Sequence, residues 1–84
     1  MLNILYFARL KEALGRDAER IELPAGIADV AALTDWLRAR GGVWSEELAA
    51  SRPVRVAVNQ DMARHDTPVR DGDEVAYFPP VTGG

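Results

Sequence analysis

The stretch LNILYFARLKEALG, residues 2–15, places a strand directly before a short helix. Its first part, residues 2–8, is apolar with β-branched and aromatic side chains, and the run is too short for a buried helix. Residues 9–14 carry two leucines and an alanine at helical spacing, and Gly15 then supplies a C-terminal stop. We therefore predict a strand followed at once by a short helix.

Alternation along this first strand predicts which of its side chains are buried. Successive side chains of a strand point to opposite faces of the sheet. If Leu2, Ile4 and Tyr6 face the core, then Leu5 and Phe7 face the other side. The second face is therefore predicted to carry large apolar side chains.

A longer helix is predicted after a second strand. Residues 19–23, ERIEL, alternate charged and apolar side chains before a proline, which is typical of an edge or hairpin strand. Asp29 is a suitable N-cap for a helix over residues 30–40, and the glycine pair at 41–42 ends it. The predicted buried stripe of this helix consists of Val30, Leu33 and Leu37.

Shorter elements are predicted in the C-terminal half. Ser45 is predicted to cap a further helical turn. Residues 54–58, VRVAV, alternate again and predict a strand, and residues 67–69 predict a brief strand piece. The turn signal DGD at residues 71–73 leads into EVAYF, residues 74–78, the last predicted strand.

The order of these elements predicts one α+β domain over residues 1–78. A mixed sheet of about five strands would pack over one principal helix, with short additional helices. Among small folds, the β-grasp is the first that this arrangement indicates. Residues 79–84 are predicted to form a flexible C-terminal tail that ends in Gly-Gly.

Composition excludes several classes of function. The 84 residues contain no cysteine, which excludes disulfides, thiolate metal sites and a cysteine nucleophile. The net charge is −3 and the arginines are scattered, so we expect no nucleic acid among the partners. No apolar run approaches the ~20 residues of a membrane span, so we expect no membrane partner and a cytoplasmic protein.

The sequence offers no constellation of catalytic residues. His65 is the only histidine, and its polar surroundings are typical of an exposed loop. Asp71, Asp73 and Glu74 lack the remaining ligand pattern of a calcium loop and are typical of a turn with solvated charges. We therefore predict no catalytic residue, no metal ion and no bound cofactor.

The outer face of the sheet is a candidate interaction surface. Phe7 and Phe78 lie on the first and last predicted strands, both on the face away from the core. If those strands are neighbours, the two rings form one apolar patch, and Met62 in the loop after the third strand extends it. Large exposed apolar patches mark interaction surfaces. The alternative is that another element of the protein covers these side chains.

The C-terminal tail, FPPVTGG, has a stiff base and a tip without side chains. Pro79 and Pro80 favour an extended path off the last strand, so residues 79–84 could reach about 20 Å. A tip ending in Gly83 and Gly84 fits a narrow site, where the terminal carboxylate could be activated as an acyl-adenylate and converted to a thiocarboxylate. The alternative is a frayed terminus without a function.

Three segments resemble the family of molybdopterin synthase small subunits, the ubiquitin-like sulfur carriers of molybdenum-cofactor biosynthesis. They are DGDEVAYFPPVTGG at residues 71–84, LNILYFARLKEALG at residues 2–15 and VNQ at residues 58–60. The last ten residues are the most specific part of the resemblance.

The resemblance implies a ubiquitin-like β-grasp fold and a non-catalytic subunit of a sulfurtransferase. It implies that a ubiquitin-activating-type adenylyltransferase consumes ATP to adenylate Gly84, and that a sulfur donor protein then supplies the sulfur of a thiocarboxylate. This sulfur would pass to a cyclic pyranopterin precursor to form the molybdopterin dithiolene.

The resemblance also implies how the carrier meets its partner. The tail residues would enter the active site of the large synthase subunit, within a two-plus-two heterotetramer. These tail residues are Pro79, Pro80, Val81, Thr82 and Gly83. The family's hydrophobic docking patch corresponds to Phe7, Met62 and Phe78, which agrees with the alternation of the strands.

Three alternatives remain open from the sequence. The first is a sulfur carrier for thiazole synthesis in the thiamine pathway, a related family that also ends in Gly-Gly but is shorter. The second is a ubiquitin-like modifier joined through Gly84 to lysines of target proteins, which covalent adducts would reveal. The third is a β-grasp interaction module with an inert tail, which would tolerate deletion of Gly84.

Overall fold

The computed structural model describes residues 1–80 of the chain. Within this range the chain forms five strands and three helices. The strands are β1 (Leu2–Tyr6), β2 (Ala18–Ile21), β3 (Arg55–Val58), β4 (Asp61–Met62) and β5 (Glu74–Phe78). The helices are α1 (Ala8–Leu14), α2 (Val30–Arg38) and α3 (Val43–Glu47).

Over residues 1–80 the strands form one mixed sheet in the order β2-β1-β5-β3-β4. The central pair, β1 and β5, is parallel, and the other neighbours are antiparallel. The first and last strands of the chain are therefore adjacent. This arrangement confirms the predicted α+β class, with a sheet of five strands and one principal helix.

The inner face of the sheet packs against α2. Leu2, Ile4 and Tyr6 of β1 are at most 1% exposed, which confirms the predicted alternation of that strand. Val75 and Tyr77 of β5 are fully buried beside them. The helix contributes its predicted stripe, Val30, Leu33 and Leu37, all of which are buried. Burial of each such aliphatic side chain contributes about 1.5–3 kcal/mol to the free energy of unfolding.

A hydrogen bond links the centre of the sheet to α2. The hydroxyl oxygens of Tyr77 and Thr34 are 2.8 Å apart, and Thr34 also lies 2.8 Å from the carbonyl oxygen of Val30. Burial raises the pKa of the Tyr77 hydroxyl to about 12, although the Thr34 hydrogen bond and the charge of Arg38 act in the opposite direction. The buried phenol is therefore neutral and partnered, as its position in the core requires.

Local sequence signals set the helix ends. The Asp29 side chain accepts a hydrogen bond of 2.8 Å from the Ala32 backbone amide, which confirms the predicted N-cap of α2. Gly15 adopts the left-handed conformation after α1, with φ of 71°. The α2 helix ends at Arg38, slightly before the predicted residue 40.

Two predictions about the C-terminal half are wrong. Ser45 does not cap a helix, because α3 begins at Val43 after Gly42, and Ser45 lies inside it. Residues 67–69 are not a strand, and only an isolated bridge pairs Pro68 with Asp29. The segment instead supplies partners to the start of α2, since the Val30 amide donates to the Thr67 carbonyl at 3.0 Å.

The fourth strand forms where a loop was predicted. Asn59 and Gln60 both have positive φ, 50° and 72°, and they connect β3 to β4 as a two-residue hairpin. Met62, predicted to lie in a loop, is therefore a strand residue paired with Ala57. Sequence analysis missed this hairpin because β4 is only two residues long.

Candidate docking face and tail root

The outer face of the sheet carries an apolar row that crosses four strands. Leu5 aligns with Ala76, Ala76 aligns with Ala57, and Ala57 aligns with Met62. Because Ala76 lies between the inward-facing Val75 and Tyr77, this row lies on the face opposite to α2. The register of the sheet thus places Met62 on the same face as the side chains of β1 and β5.

The two phenylalanines continue this face beyond the row. Tyr6 aligns with Tyr77, and the Phe7 amide donates a hydrogen bond of 3.1 Å to the Tyr77 carbonyl. Phe7, the residue after β1, and Phe78, the last residue of β5, therefore lie at adjacent positions. Phe7 is 48% exposed and Met62 is 58% exposed, while Phe78 is partly buried. The structure brings together the three residues of the predicted docking patch, whose role stays a prediction.

The centre of this face carries small side chains, whereas its borders carry large ones. Ala57 and Ala76 are each 8% exposed, and they lie between the larger side chains of Leu5, Phe78 and Met62. Sequence analysis did not include the alanines in the patch, although alternation along EVAYF and VRVAV places them on the outer face. We define the docking face as Leu5, Phe7, Ala57, Met62, Ala76 and Phe78.

A strained backbone position follows Phe7. Ala8 has φ of 53°, in the left-handed region that non-glycine residues adopt at a cost of about 1–2 kcal/mol. The chain turns at this residue from β1 into α1, while Phe7 stays in extended conformation as the N-cap. The turn leaves the Phe7 ring at the end of the sheet from which the tail departs.

The root of the tail, Pro79 and Pro80, is partly buried next to a charged cluster. Glu47 has a side chain only 10% exposed, and its carboxylate lies 3.4 Å from Arg9 and 3.2 Å from Arg52. These residues line a cavity of about 270 Å³ together with both prolines. Sequence analysis assigned Glu47 no role, because the arginines that pair with it come from other segments of the chain.

A second polar network holds the opposite edge of the sheet. Arg40 makes two hydrogen bonds of 2.9 Å to the Glu19 carboxylate, and the Tyr6 hydroxyl donates a third of 2.8 Å. The Arg40 guanidinium also lies over the rings of Trp44 and Trp36, 4.5 and 5.0 Å from their centroids. This network ties β2 and β1 to the end of α2.

The same contacts shift pKa values. Burial acts to raise the pKa of the Glu19 carboxyl, but the hydrogen bonds from Arg40 and Tyr6 and the charge of Arg16 outweigh it, so this pKa is below its usual value. Burial and the hydrogen bond to Glu19 raise the pKa of the Tyr6 hydroxyl far above its usual value. Glu19 is therefore held ionised and Tyr6 neutral, which suits a structural role.

The remaining candidate residues lie in turns. The exposed His65 contributes its carbonyl oxygen, which accepts a hydrogen bond of 2.8 Å from the Ala31 amide. Asp73 accepts hydrogen bonds from the Asn59 side chain and the Arg70 amide, at 3.0 and 2.9 Å. Within residues 1–80, no group of three histidine, cysteine or acidic side chains could hold a metal ion.

The described range also limits what the structure says of membrane spans and of the tail. Among the helices of the described range, none is long and apolar enough to cross a membrane. The tail residues Val81, Thr82, Gly83 and Gly84 lie outside the described residues, so their predicted insertion and modification stay predictions.

Comparisons with known proteins cover both the folded domain and the sequence of the tail. The profile of the ThiS family matches residues 4–84, which includes the terminal glycine. The molybdopterin synthase sulfur carrier subunit of Escherichia coli (strain K12) is 42% identical over 84 residues, covering 100% of both chains.

Two solved structures share the fold at full length. One is described as a molybdopterin converting factor, subunit 1, from Pyrococcus furiosus, with 33% identity and a TM-score of 0.77 over 95% of this chain and 97% of that chain. The other is the small archaeal modifier protein 1 of Haloferax volcanii, with 29% identity and a TM-score of 0.66 over the same shares, 95% and 97%. The neighbours confirm the ubiquitin-like β-grasp, and the chain belongs to the ThiS family.

Proposed function

We propose that this chain is the sulfur carrier subunit of a molybdopterin synthase. The observation that carries this proposal is the full-length similarity to curated carrier subunits of that enzyme, which extends to the terminal glycine. The docking face and the stiff tail root support it, since a carrier needs a surface that its partners bind and a tip that they can reach.

The chemistry of the proposal is centred on the Gly84 carboxylate. An activating enzyme of the ubiquitin-activating type would bind ATP and this tip together. A carboxylate oxygen attacks the α-phosphorus of ATP, pyrophosphate leaves, and a mixed anhydride with AMP remains. Sulfur at the oxidation level of sulfide, supplied by a donor protein, then attacks the acyl carbon, AMP leaves with the bridging oxygen, and a thiocarboxylate results. Gly84 suits both steps because it has no side chain to obstruct either reactant.

Sulfur transfer follows in the large subunit. The thiocarboxylate sulfur forms a bond to a carbon of the cyclic pyranopterin precursor while a carbon–oxygen bond of that precursor breaks. Water then hydrolyses the bond between this sulfur and the acyl carbon of Gly84, which leaves the sulfur on the product and restores the carboxylate of the carrier. A dithiolene contains two sulfur atoms, so two charged carriers are used for each product. This subunit contributes no catalytic residue to these steps; it presents the sulfur and is recycled.

The described residues support a way in which the tip would be delivered. The docking face leaves large apolar side chains exposed, and burial of Phe7 and Met62 by a partner would stabilise a complex. Phe78 joins this face to Pro79 and Pro80, so docking also orients the start of the tail. The large subunit of the synthase is the proposed partner, in a two-plus-two heterotetramer.

Intact-mass spectrometry tests the sulfur chemistry. The protein is incubated with ATP, the activating enzyme of its host and a sulfur donor. We expect a mass increase equal to the replacement of one oxygen by sulfur, mapped to Gly84. The absence of any mass change, under conditions that charge an established carrier, would contradict the proposal.

A chain extended by one alanine after Gly84 is the matched control. The extension moves the carboxylate one residue along, so we expect a folded protein that forms no thiocarboxylate. Addition of the pyranopterin precursor and the large subunit then distinguishes this carrier from one for thiazole synthesis, which would not yield molybdopterin.

A ubiquitin-like modifier is the second candidate, favoured by the similarity to the small archaeal modifier protein 1. In that case Gly84 would form isopeptide bonds with lysines of target proteins. Immunoblots of host cells for covalent adducts would detect this activity. Adducts lost on deletion of Gly84, together with normal molybdopterin synthesis in the deletion strain, would favour the modifier.

A further inference from the structure

Two adjoining cavities surround the root of the tail and form one trough with basic walls. The larger, about 590 Å³, lies between α2, β3 and the segments on either side of β3 and β4. The smaller, about 270 Å³, lies beside α1 and α3. Both are lined by Arg52, Pro53, Val54 and Pro80, so they meet where the tail leaves the domain. We call the two cavities together the basic trough.

The charge of the trough is opposite to that of the whole protein. Five of the ten basic side chains line it, but only two of the 13 acidic ones, while the chain as a whole has a net charge of −3. The five are Arg9, Arg38, Arg52, Arg55 and Arg64. The two carboxylates do not leave an acidic surface, because Asp35 pairs with Arg38 and Glu47 pairs with Arg9 and Arg52.

Two of the arginines are available to an incoming ligand. Arg55 and Arg64 are exposed, and in the part of the chain that the structure describes neither guanidinium makes a hydrogen bond or ion pair. Arg55 aligns with Phe78 in the sheet, so it borders the docking face as well as the trough. Arg64 follows Met62 by two residues and also lines the larger cavity, and the Ala63 amide hydrogen bond of 2.9 Å to the Val56 carbonyl brings it to the same edge of the sheet as Arg55.

The walls of the trough are basic but its floor is apolar. Val54, Val56 and Ala63 are partly buried hydrophobic residues that pack against the core and line the larger cavity. A ligand that matches this surface carries carboxylates at its edges and an apolar side chain between them. The volume of the larger cavity, about 590 Å³, lies within the range of ligand-binding pockets in proteins, about 300–1,000 Å³.

We propose that the basic trough receives an acidic segment of the large synthase subunit, with an apolar side chain between its carboxylates. A protein that takes up the tail beyond Pro80 necessarily covers the edge of the trough, because Pro80 lines both cavities. The trough therefore continues the docking face around the tail root. It adds charge complementarity, which steers association and selects the partner. This inference rests on the proposed function, since it assigns the segment to the proposed partner.

Charge reversal tests the electrostatic part. The double variant R55E/R64E is compared with R20E/R70E, which makes the same change in net charge at exposed arginines outside the trough. We expect the first to weaken binding to the large subunit about tenfold or more, and to lose most of the salt dependence of the wild-type Kd between about 0.1 and 1 M NaCl. We expect the second to change Kd less than about threefold. Equal effects of both variants would overturn the proposal.

Cross-linking identifies the occupant. Lys11 is the only lysine, so the conservative variants R55K and R64K each add one amine in the trough. A carbodiimide joins an amine to a carboxylate in contact with it. We expect new cross-links between the added lysine and an acidic segment of the large subunit, mapped by mass spectrometry. Cross-links only to this chain's own C-terminal carboxylate, only to the activating enzyme, or to no protein would overturn the assignment.

The outcomes separate this inference from the proposed function. If the thiocarboxylate forms and the large subunit binds both double variants equally, the carrier function stands and the trough proposal fails. If no thiocarboxylate forms and the large subunit does not bind the wild-type protein, the proposed function itself fails. Circular dichroism of each variant checks that the fold is retained.

Discussion

The two faces of the sheet use the same strands in different ways. On the inner face, Ile4 and Tyr77 are completely buried under α2, and each belongs to a continuous core. On the outer face, Phe7 and Met62 are about half exposed, although they are as apolar as the core side chains. The difference teaches that the inner face supplies the core of this domain, whereas the outer face leaves apolar side chains exposed, which the proposed function assigns to a partner.

The inner face should show the largest loss of stability. Ile4→Ala removes a side chain that is fully buried, so we expect the free energy of unfolding to fall by about 2–5 kcal/mol. The matched control is Leu5→Ala, the next residue on the outer face, for which about 1 kcal/mol is expected. Urea denaturation measures both. Equal losses would show that the two faces do not differ in their contribution to folding.

A substitution on the outer face should weaken partner binding. Phe78→Asp places a charge in the docking face, and we expect binding to the large subunit to weaken by about 2 kcal/mol or more. Isothermal titration calorimetry measures the affinity, and circular dichroism confirms that the variant is folded. Arg20→Asp, on the edge strand, serves as the control. Unchanged affinity of the Phe78 variant would place the interface elsewhere.

Substitution of Glu19, a charged residue at the edge of the inner face, should lower the free energy of unfolding by a smaller amount that depends on pH. Glu19 aligns with Ile4, and Glu19→Gln removes the charge that Arg40 and Tyr6 bind. We expect a loss of about 2 kcal/mol in the free energy of unfolding at neutral pH.

The direction of the Glu19 pKa shift sets the pH dependence. Because the folded protein lowers this pKa, the contribution is complete above the usual glutamate pKa of about 4.3 and is lost as the pH falls through the folded value. Urea titrations of the wild type and Glu19→Gln at several pH values test this. A difference between the two proteins that grows on acidification would contradict the assignment.

The helix that covers the inner face gives the smallest expected effect. Asp29→Ala removes the N-cap hydrogen bond to the Ala32 amide, and we expect a loss of about 1 kcal/mol. Asp35→Ala is the control, since Asp35 is exposed within the same helix and should change stability by less than about 0.5 kcal/mol. Thermal unfolding of both variants compares them. A larger loss for Asp35 would mean that its ion pair with Arg38 outweighs the cap.

Most of the fold could be predicted from local patterns. Strand β5, the N-cap Asp29 and the buried stripe of α2 were predicted at the observed residues. The failures were β4, which is too short to show a period, Ser45, whose capping preference was overridden by the glycine turn before α3, and residues 67–69, which form only an isolated bridge. In each case a contact or a turn outside the local sequence pattern determined the observed structure.

Some features of the candidate site could also be predicted from the sequence, and others could not. Alternation indicated that Phe7 and Phe78 share the outer face, and the terminal glycines led to the proposed chemistry of the tail. The pairing of Glu47 with Arg9 and Arg52, and the basic trough around Pro80, had no sequence signal. Their residues come from segments that are far apart in the chain.

The sequence by itself determined the local features of this protein: which strand positions face inward, where α2 begins, and that residues 83 and 84 carry no side chains. These features follow from backbone geometry over a few residues. Only the tertiary structure decided that β1 lies parallel to β5, which makes Phe7 and Phe78 neighbours across about 70 residues of chain. That pairing depends on burying the inner faces of both strands together under α2, and no local pattern encodes which strands will share that burial.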